Sequence, residues 1–163
     1  MKADSFLQED LDYIANSELP FEELYHSTIL VTGATGLVGS QTIKALLNMN
    51  QKKNADIKVL ALVRNKEKAK KTFEGYECEA LRYVCQDLEA PIQVEEDIDY
   101  IVHTASPTAS KFFVEHPVET IKTAVIGTDH VLSLAYDKKA KGVVYLSSME
   151  AFGITDPSLP SVK

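Results

Sequence analysis

The chain has 163 residues, 45% of them hydrophobic, and a formal net charge of -7. That is enough apolar material for one globular domain with a real core, and no run is long and apolar enough to cross a bilayer. The negative balance argues against a nucleic-acid partner, whose phosphates need clustered Lys and Arg. The one basic run, Lys66 to Lys71 (KEKAKK), reads as the solvated face of a helix. Cys78 and Cys85 have neither metal-ligand spacing nor the look of a disulfide framework. The start, MKADSFLQEDLD, lacks the basic-then-apolar order of a signal peptide. The expectation is a cytoplasmic protein with no metal and no membrane partner.

In chain order, residues 1–27 read as an acidic extension. Phe6, Leu7, Leu11 and Ile14 are spaced for a short amphipathic helix that ELPF then breaks. From residue 28 the pattern alternates. Strands are predicted at Thr28–Thr32, Ile57–Val63, Leu81–Cys85, Tyr100–Thr104 and Gly142–Leu146. Helices are predicted at Leu37–Asn48, Lys66–Phe73 and roughly Val118–Lys138. Strands such as VLALV and GVVYL are apolar throughout, as in a parallel sheet covered on both faces. Alternating elements of this kind predict an α/β fold with a doubly wound, Rossmann-type parallel sheet over residues 28–163.

Between the first strand and the first helix of that pattern lies TGATGLVG. Gly33, Gly36 and Gly39 are separated by two residues each, at a joint where glycine weakens strand and helix alike. A dinucleotide pyrophosphate explains them. Gly33 permits a tight turn, Gly36 lets a ligand approach the backbone, and Gly39 lets the helix pack closely on the sheet. The phosphates then meet free N–H groups and the positive end of the helix dipole. A glycine-rich turn with no ligand is the blander alternative. The strand-turn-helix context favours the ligand.

The spacing is GxxGxxG. With Thr32 before it, VTGATGLVG resembles the extended short-chain dehydrogenases/reductases, which include nucleotide-sugar epimerases, dehydratases and decarboxylases. Further matches follow in order: QDL at Gln86–Leu88, VHTASP at Val102–Pro107, GT at Gly127–Thr128 and VVYLSSMEAFG at Val143–Gly153. The resemblance spans about residues 28–154. It implies an NAD(P) site built from Gly33, Thr35, Gly36, Leu37, Val38 and Gly39 in the first turn. Arg64 and Asn65 would follow the second strand, Asp87 and Leu88 the third, and Thr104, Ala105 and Ser106 the fourth. Asp87 would accept from the adenine amino group, or simply serve its turn. His103, just inside the fourth strand, reads as a packed or locally hydrogen-bonded histidine. NADP is favoured over NAD, because Val63 stands where many NAD users carry an acid and Arg64 can meet a 2′-phosphate. Arg64 as a surface residue is the alternative.

For catalysis the resemblance selects Ser148, five positions before Gly153, to hydrogen-bond the substrate oxygen. Glu150 coincides with an acidic position of relatives that dehydrate or decarboxylate, where a carboxylate moves a proton beside a transient ketone. The family's Tyr-x-x-x-Lys pair is matched by no tyrosine in this sequence. Its usual Asn-Val-x-Gly-Thr is here Ala124-Val125-Ile126-Gly127-Thr128, without the Asn amide.

The expectation is therefore the cofactor-binding part of a nucleotide-sugar enzyme, with the substrate domain and two later strands missing and no activity alone. An NADPH-dependent carbonyl reductase fragment and a non-catalytic dinucleotide-binding module stay open. Apolar surface left on the last helix and fifth strand predicts a homodimer.

Overall fold

The computed structural model describes residues 5–107, 110–148 and 153. Helix α1 (Ser5–Ala15) and a 3-10 turn at Phe21–Leu24 precede β1 (Thr28–Thr32) and α2 (Leu37–Lys53). Next come β2 (Lys58–Val63), α3 (Lys66–Thr72), β3 (Leu81–Cys85) and β4 (Tyr100–His103). Helices α4 (Ser110–Glu115) and α5 (Pro117–Asp137) lead to β5 (Gly142–Tyr145). Every strand pairing is parallel, and the order across the sheet is β3-β2-β1-β4-β5. This is the expected Rossmann-type sheet.

The elements depart from the sequence pattern most at two helices. Helix α2 runs beyond Asn48 to Lys53, although its apolar spacing ends at Met49. Gln and Lys are good helix formers, and Asn54 stops the helix in the left-handed region at φ 54°. Helix α4 was not anticipated, because six residues (SKFFVE) are too few to display a helical period.

Alternation along the strands sends neighbouring side chains to opposite faces. Ile29, Val31, Val59, Ala61 and Val63 face α2 and α3, where Ile43, Leu46, Leu47, Ala69 and Phe73 complete one core. Leu30, Leu60, Leu62, Val84 and Ile101 face the other way and meet Val131 and Leu134 of α5. The sheet grows outward from β1 in one direction through β2 and β3, then in the other through β4 and β5. The crossover helices consequently lie on opposite faces, and a crevice opens between the carboxyl ends of β1 and β4.

Helix α1 docks on α2 through Leu11 and Ala15, 2% and 6% exposed. Beside them Asp12 Oδ1 accepts from Gln8 at 2.8 Å and from Asn48 at 3.1 Å, while Oδ2 pairs with Lys52 at 2.9 Å. Lys52 first, then the two amides, holds the Asp12 carboxyl below the usual carboxylate range. The buried Asn48 is thus satisfied in an otherwise apolar helix face.

Truncating Leu11 to Ala removes the main apolar anchor of α1. Urea unfolding should show a loss of about 2–4 kcal/mol, with hydrogen exchange across α1 accelerating more than across β1. An unchanged midpoint and unchanged α1 protection would mean the helix is held by its polar contacts alone.

Candidate functional site

At the crevice, β1 ends in Thr32 and the chain turns sharply. Gly33 adopts φ +62°, a region that side chains rarely enter. A Cβ there would also lie 2.7 Å from the backbone nitrogen of Ala105, so the turn is pressed against the end of β4. Gly36 N–H donates to the Gly33 carbonyl at 2.8 Å and closes the turn. Gly39, one turn into α2, would place a Cβ 2.5 Å from the Gly33 carbonyl oxygen and 2.9 Å from Thr104 Oγ1. What Gly39 approaches is therefore the turn itself and the residue after β4.

Gly36 is different. Its backbone is extended (φ -80°, ψ 174°), and a Cβ would meet only the Gly33 oxygen, at 3.1 Å. It is the N-cap of α2, yet no side chain caps the helix. The orphan N–H groups of the first turn and the positive dipole end are left to an external acceptor. Leu37 and Val38 beside it are exposed, at 82% and 48%. Steric necessity accounts for Gly33 and Gly39 within the fold, whereas Gly36 meets only one moderately tight contact. The cradle fits a phosphate group.

The β4 side of the crevice is tied to β1 by hydrogen bonds. Thr104 Oγ1 donates to the Thr32 carbonyl at 2.7 Å, and Ala105 N–H donates to Thr32 Oγ1 at 3.3 Å. Thr32 Oγ1 also lies 2.6 Å from His103 Nδ1, and the other ring nitrogen lies 3.1 Å from Thr128 Oγ1 of α5. His103 is 2% exposed, and burial pushes its pKa below the ordinary 6.5. It is packed, and hydrogen-bonded to β1 and α5, within the expectation of a packed or locally hydrogen-bonded histidine. Ser106 is exposed at the rim and donates to the Pro107 carbonyl.

The remaining candidates fall in several places. Thr35 is half-buried in the turn, and Arg64 is exposed just beyond β2. Asn65 caps α3, its side chain accepting from Lys68 N–H at 2.9 Å. Asp87 accepts from Glu89 N–H at 3.0 Å in a turn after β3. Leu88 is 6% exposed among the core residues beneath α5. Its carbonyl accepts from His130 Nδ1 at 2.7 Å, and a Cβ on Gly127 would come within 3.2 Å of its side chain. Gly127 therefore lets α5 settle onto this loop, a packing role that the sequence pattern did not disclose. Ser148 is exposed beyond β5, on the same carboxyl edge of the sheet as Thr32 and His103. Glu150 lies outside the described residues. The Thr32–His103–Thr128 line was missed as a unit, since its members come from three separate elements.

A parallel sheet whose strand order reverses at β1, with an uncapped helix start at that reversal, defines a Rossmann-type chain. Comparison with known proteins narrows the class. The model of the NAD dependent epimerase/dehydratase family matches residues 29–163, and the chain belongs to that family. UDP-glucuronic acid decarboxylase 6 of Arabidopsis thaliana is 34% identical over 125 residues, covering 77% of this chain and 34% of the relative. The chain thus spans about a third of the length of the curated relatives it matches. Pen from Bacillus thuringiensis shares the fold with a TM-score of 0.69 at 24% identity, over 80% of this chain and 40% of that one. UDP-glucose-4-epimerase from Stenotrophomonas maltophila, solved with bound NAD, shares it at 0.65 and 20% identity, over 83% and 41%.

Gly39→Ala tests how tightly the turn is packed. Alanine favours a helix by about 1 kcal/mol over glycine, whereas overpacking against backbone costs about 1–3 kcal/mol. The clash should win, and urea unfolding should show a net loss of about 1–2 kcal/mol. A variant as stable as the parent would show that the turn has room.

Proposed function

We propose that this chain is the cofactor-binding portion of a nucleotide-sugar epimerase, dehydratase or decarboxylase, and that it holds NADP in preference to NAD. The observation that carries the reading is Gly36. It leaves the uncapped start of α2 open at the topological switch point, where a Cβ would meet a single atom, the Gly33 carbonyl oxygen at 3.1 Å, and otherwise stand in the open. Gly33, Thr35, Gly36, Leu37, Val38 and Gly39 would surround the pyrophosphate, with main-chain N–H groups as donors. Thr104, Ala105 and Ser106 would line the ribose on the β4 side. Asp87 and Leu88 would border the adenine, Asp87 through its carboxylate and Leu88 through its backbone and packed side chain.

Arg64 supports NADP. It is exposed after β2, and its neighbour Asn65 is already engaged in capping α3. A guanidinium there can pair with a 2′-phosphate. The bound nicotinamide would supply a hydride acceptor for a sugar hydroxyl. Ser148 would donate a hydrogen bond to the substrate oxygen as it gains carbonyl character. Glu150 would take or return a proton beside it. No Tyr-x-x-x-Lys occurs in the 163 residues, so binding without appreciable turnover is expected of this chain alone. Exposed Arg64 also suits a second reading, a carbonyl reductase that consumes NADPH. Such a protein would release its cofactor each cycle, whereas a sugar enzyme of this kind retains it. A cytoplasmic setting suits the two exposed free thiols, Cys78 and Cys85.

Calorimetric titration tests the reading. Saturable binding of NADPH, weaker binding of NADH, and loss of both in Gly36→Val are expected. Arg64→Ala should reduce the NADPH preference about tenfold, the scale of one charge-assisted contact. No saturable binding of either dinucleotide would sink the proposal. Equal affinities with no effect of Arg64→Ala would sink the NADP preference alone.

We also propose that the chain forms a homodimer through α4 and α5. Val114, Val118, Ile121, Val125, Leu132 and Tyr136 recur at spacings of three, four and seven, and each is at least half exposed. The five on α5 form an apolar stripe along one helix face, extended by Val114 of α4, of the kind that packs against another helix. Sedimentation should show a dimer that Val125→Glu converts to monomer. A monomeric parent at high concentration would refute this.

A further inference from the structure

The ring of His103 stands between two threonines whose own hydrogen bonds decide where its proton is. Thr128 Oγ1 lies 2.6 Å from the Ala124 carbonyl, which can only accept, so the Thr128 proton is committed there. Its lone pairs therefore face His103 Nε2 at 3.1 Å, and that nitrogen must carry the hydrogen. On the other side Thr32 Oγ1 accepts from Ala105 N–H and turns its own proton to Nδ1 at 2.6 Å. The neutral ring with hydrogen on Nε2 satisfies all four bonds. They run one way, from the Ala105 amide through Thr32, His103 and Thr128 to the Ala124 carbonyl.

We infer that His103 is a positioning residue, held neutral with its proton on Nε2, through which α5 fixes the phosphate-receiving turn. Two observations beyond the hydrogen bonds locate its effect. The His103 carbonyl accepts from Leu146 N–H at 3.1 Å, and its ring lies 5.5 Å from that of Tyr145, so it also borders the strand end that leads to Ser148. The Ala105 amide that bonds to Thr32 is also the group against which Gly33 is pressed, where a Cβ would clash at 2.7 Å. A shift of Thr32 is transmitted to the turn, because close-packed backbone has nowhere to yield. The inference rests on the dinucleotide reading for its functional consequence but not for the protonation state.

Protonation would convert Nδ1 from acceptor to donor and set it against the Thr32 proton. Thr32 faces the ring from β1, Thr128 from α5 and Tyr145 from β5, and none of these carries a charge at neutral pH. No carboxylate among these contacts stabilises an imidazolium. Burial lowers the folded-state pKa below 6.5, so the unfolded chain binds the extra proton first. Stability is then full above pH 6.5 and declines as pH falls from there to the folded pKa, below which this contribution levels off.

Long-range proton–nitrogen NMR on the ligand-free 163-residue chain reads the tautomer directly. At pH 7.5, His103 should show a bare Nδ1 and a protonated Nε2. A proton on Nδ1, or a charged ring, would overturn the inference whether or not dinucleotide binds. Thr128→Val, which removes the acceptor on α5, should weaken NADPH binding about tenfold and shift the tautomer populations. Thr128→Ser should restore both. Unchanged affinity and tautomer in a folded Thr128→Val variant would also overturn it. Failure of the parent chain to bind NADPH, with the tautomer as stated, would instead count against the dinucleotide reading.

Discussion

The structure depends on how closely β1 and β4 approach at their carboxyl ends. With Gly33 at φ +62° and no Cβ to hold them apart, the first turn lies directly on Ala105. Thr104 and Ala105 then reach back to Thr32 through hydroxyl and amide bonds. Parallel pairing of Thr32 with His103 brings these groups level. Without this contact the crevice between the two strands would widen and the start of α2 would lose its backing. The cradle is made of backbone, so its shape is set by packing more than by any one side chain.

The amino ends of β1 and β4 are secured differently. Asp99 accepts from Thr28 N–H at 2.8 Å and pairs with Lys141 at 2.9 Å, while Lys141 N–H returns to the Asp99 carbonyl at 2.7 Å. The Thr28 amide chiefly, with Lys141, lowers the Asp99 pKa. A partly solvated carboxylate can do this work at the amino ends, where no ligand is expected. At the carboxyl ends a neutral Thr–His–Thr line serves instead. A fixed carboxylate there would repel an incoming phosphate, and the neutral line imposes no such field.

Apolar cover is uneven across the sheet. Helices α2 and α3 seal one face over β1, β2 and β3, and α5 seals the other over β1 and β4. Along β4 and β5, however, an open groove of about 1250 Å³ is lined by α1, α2 and the strands themselves. Val144 and Tyr145 stay more than half exposed on β5. Among the described residues, exposed apolar surface is therefore concentrated on β5, α4 and α5. These are the elements farthest along the chain from the glycine turn after β1, where Gly33 and Gly39 are closely packed while Leu37 and Val38 stand exposed.

Much of this was legible before any coordinates. Period-two and period-3.6 patterns are local, so the five strands, the main helices and the parallel class could be read from apolar spacing alone. The turn at Gly33, Gly36 and Gly39 was legible because a strand precedes it and a helix follows within a few residues. Even His103 was recognisable as packed or hydrogen-bonded from its place inside a strand. Tertiary structure alone decided which groups it meets, since Thr32, His103 and Thr128 lie 71 and 25 residues apart. It likewise separated Gly36 from its two neighbours, assigned Asn65 to a helix cap, and gave Gly127 the task of admitting Leu88. A sequence records which side chains are available and at what local period they recur. Which of them touch depends on how the sheet reverses at β1, a long-range outcome that no short stretch encodes.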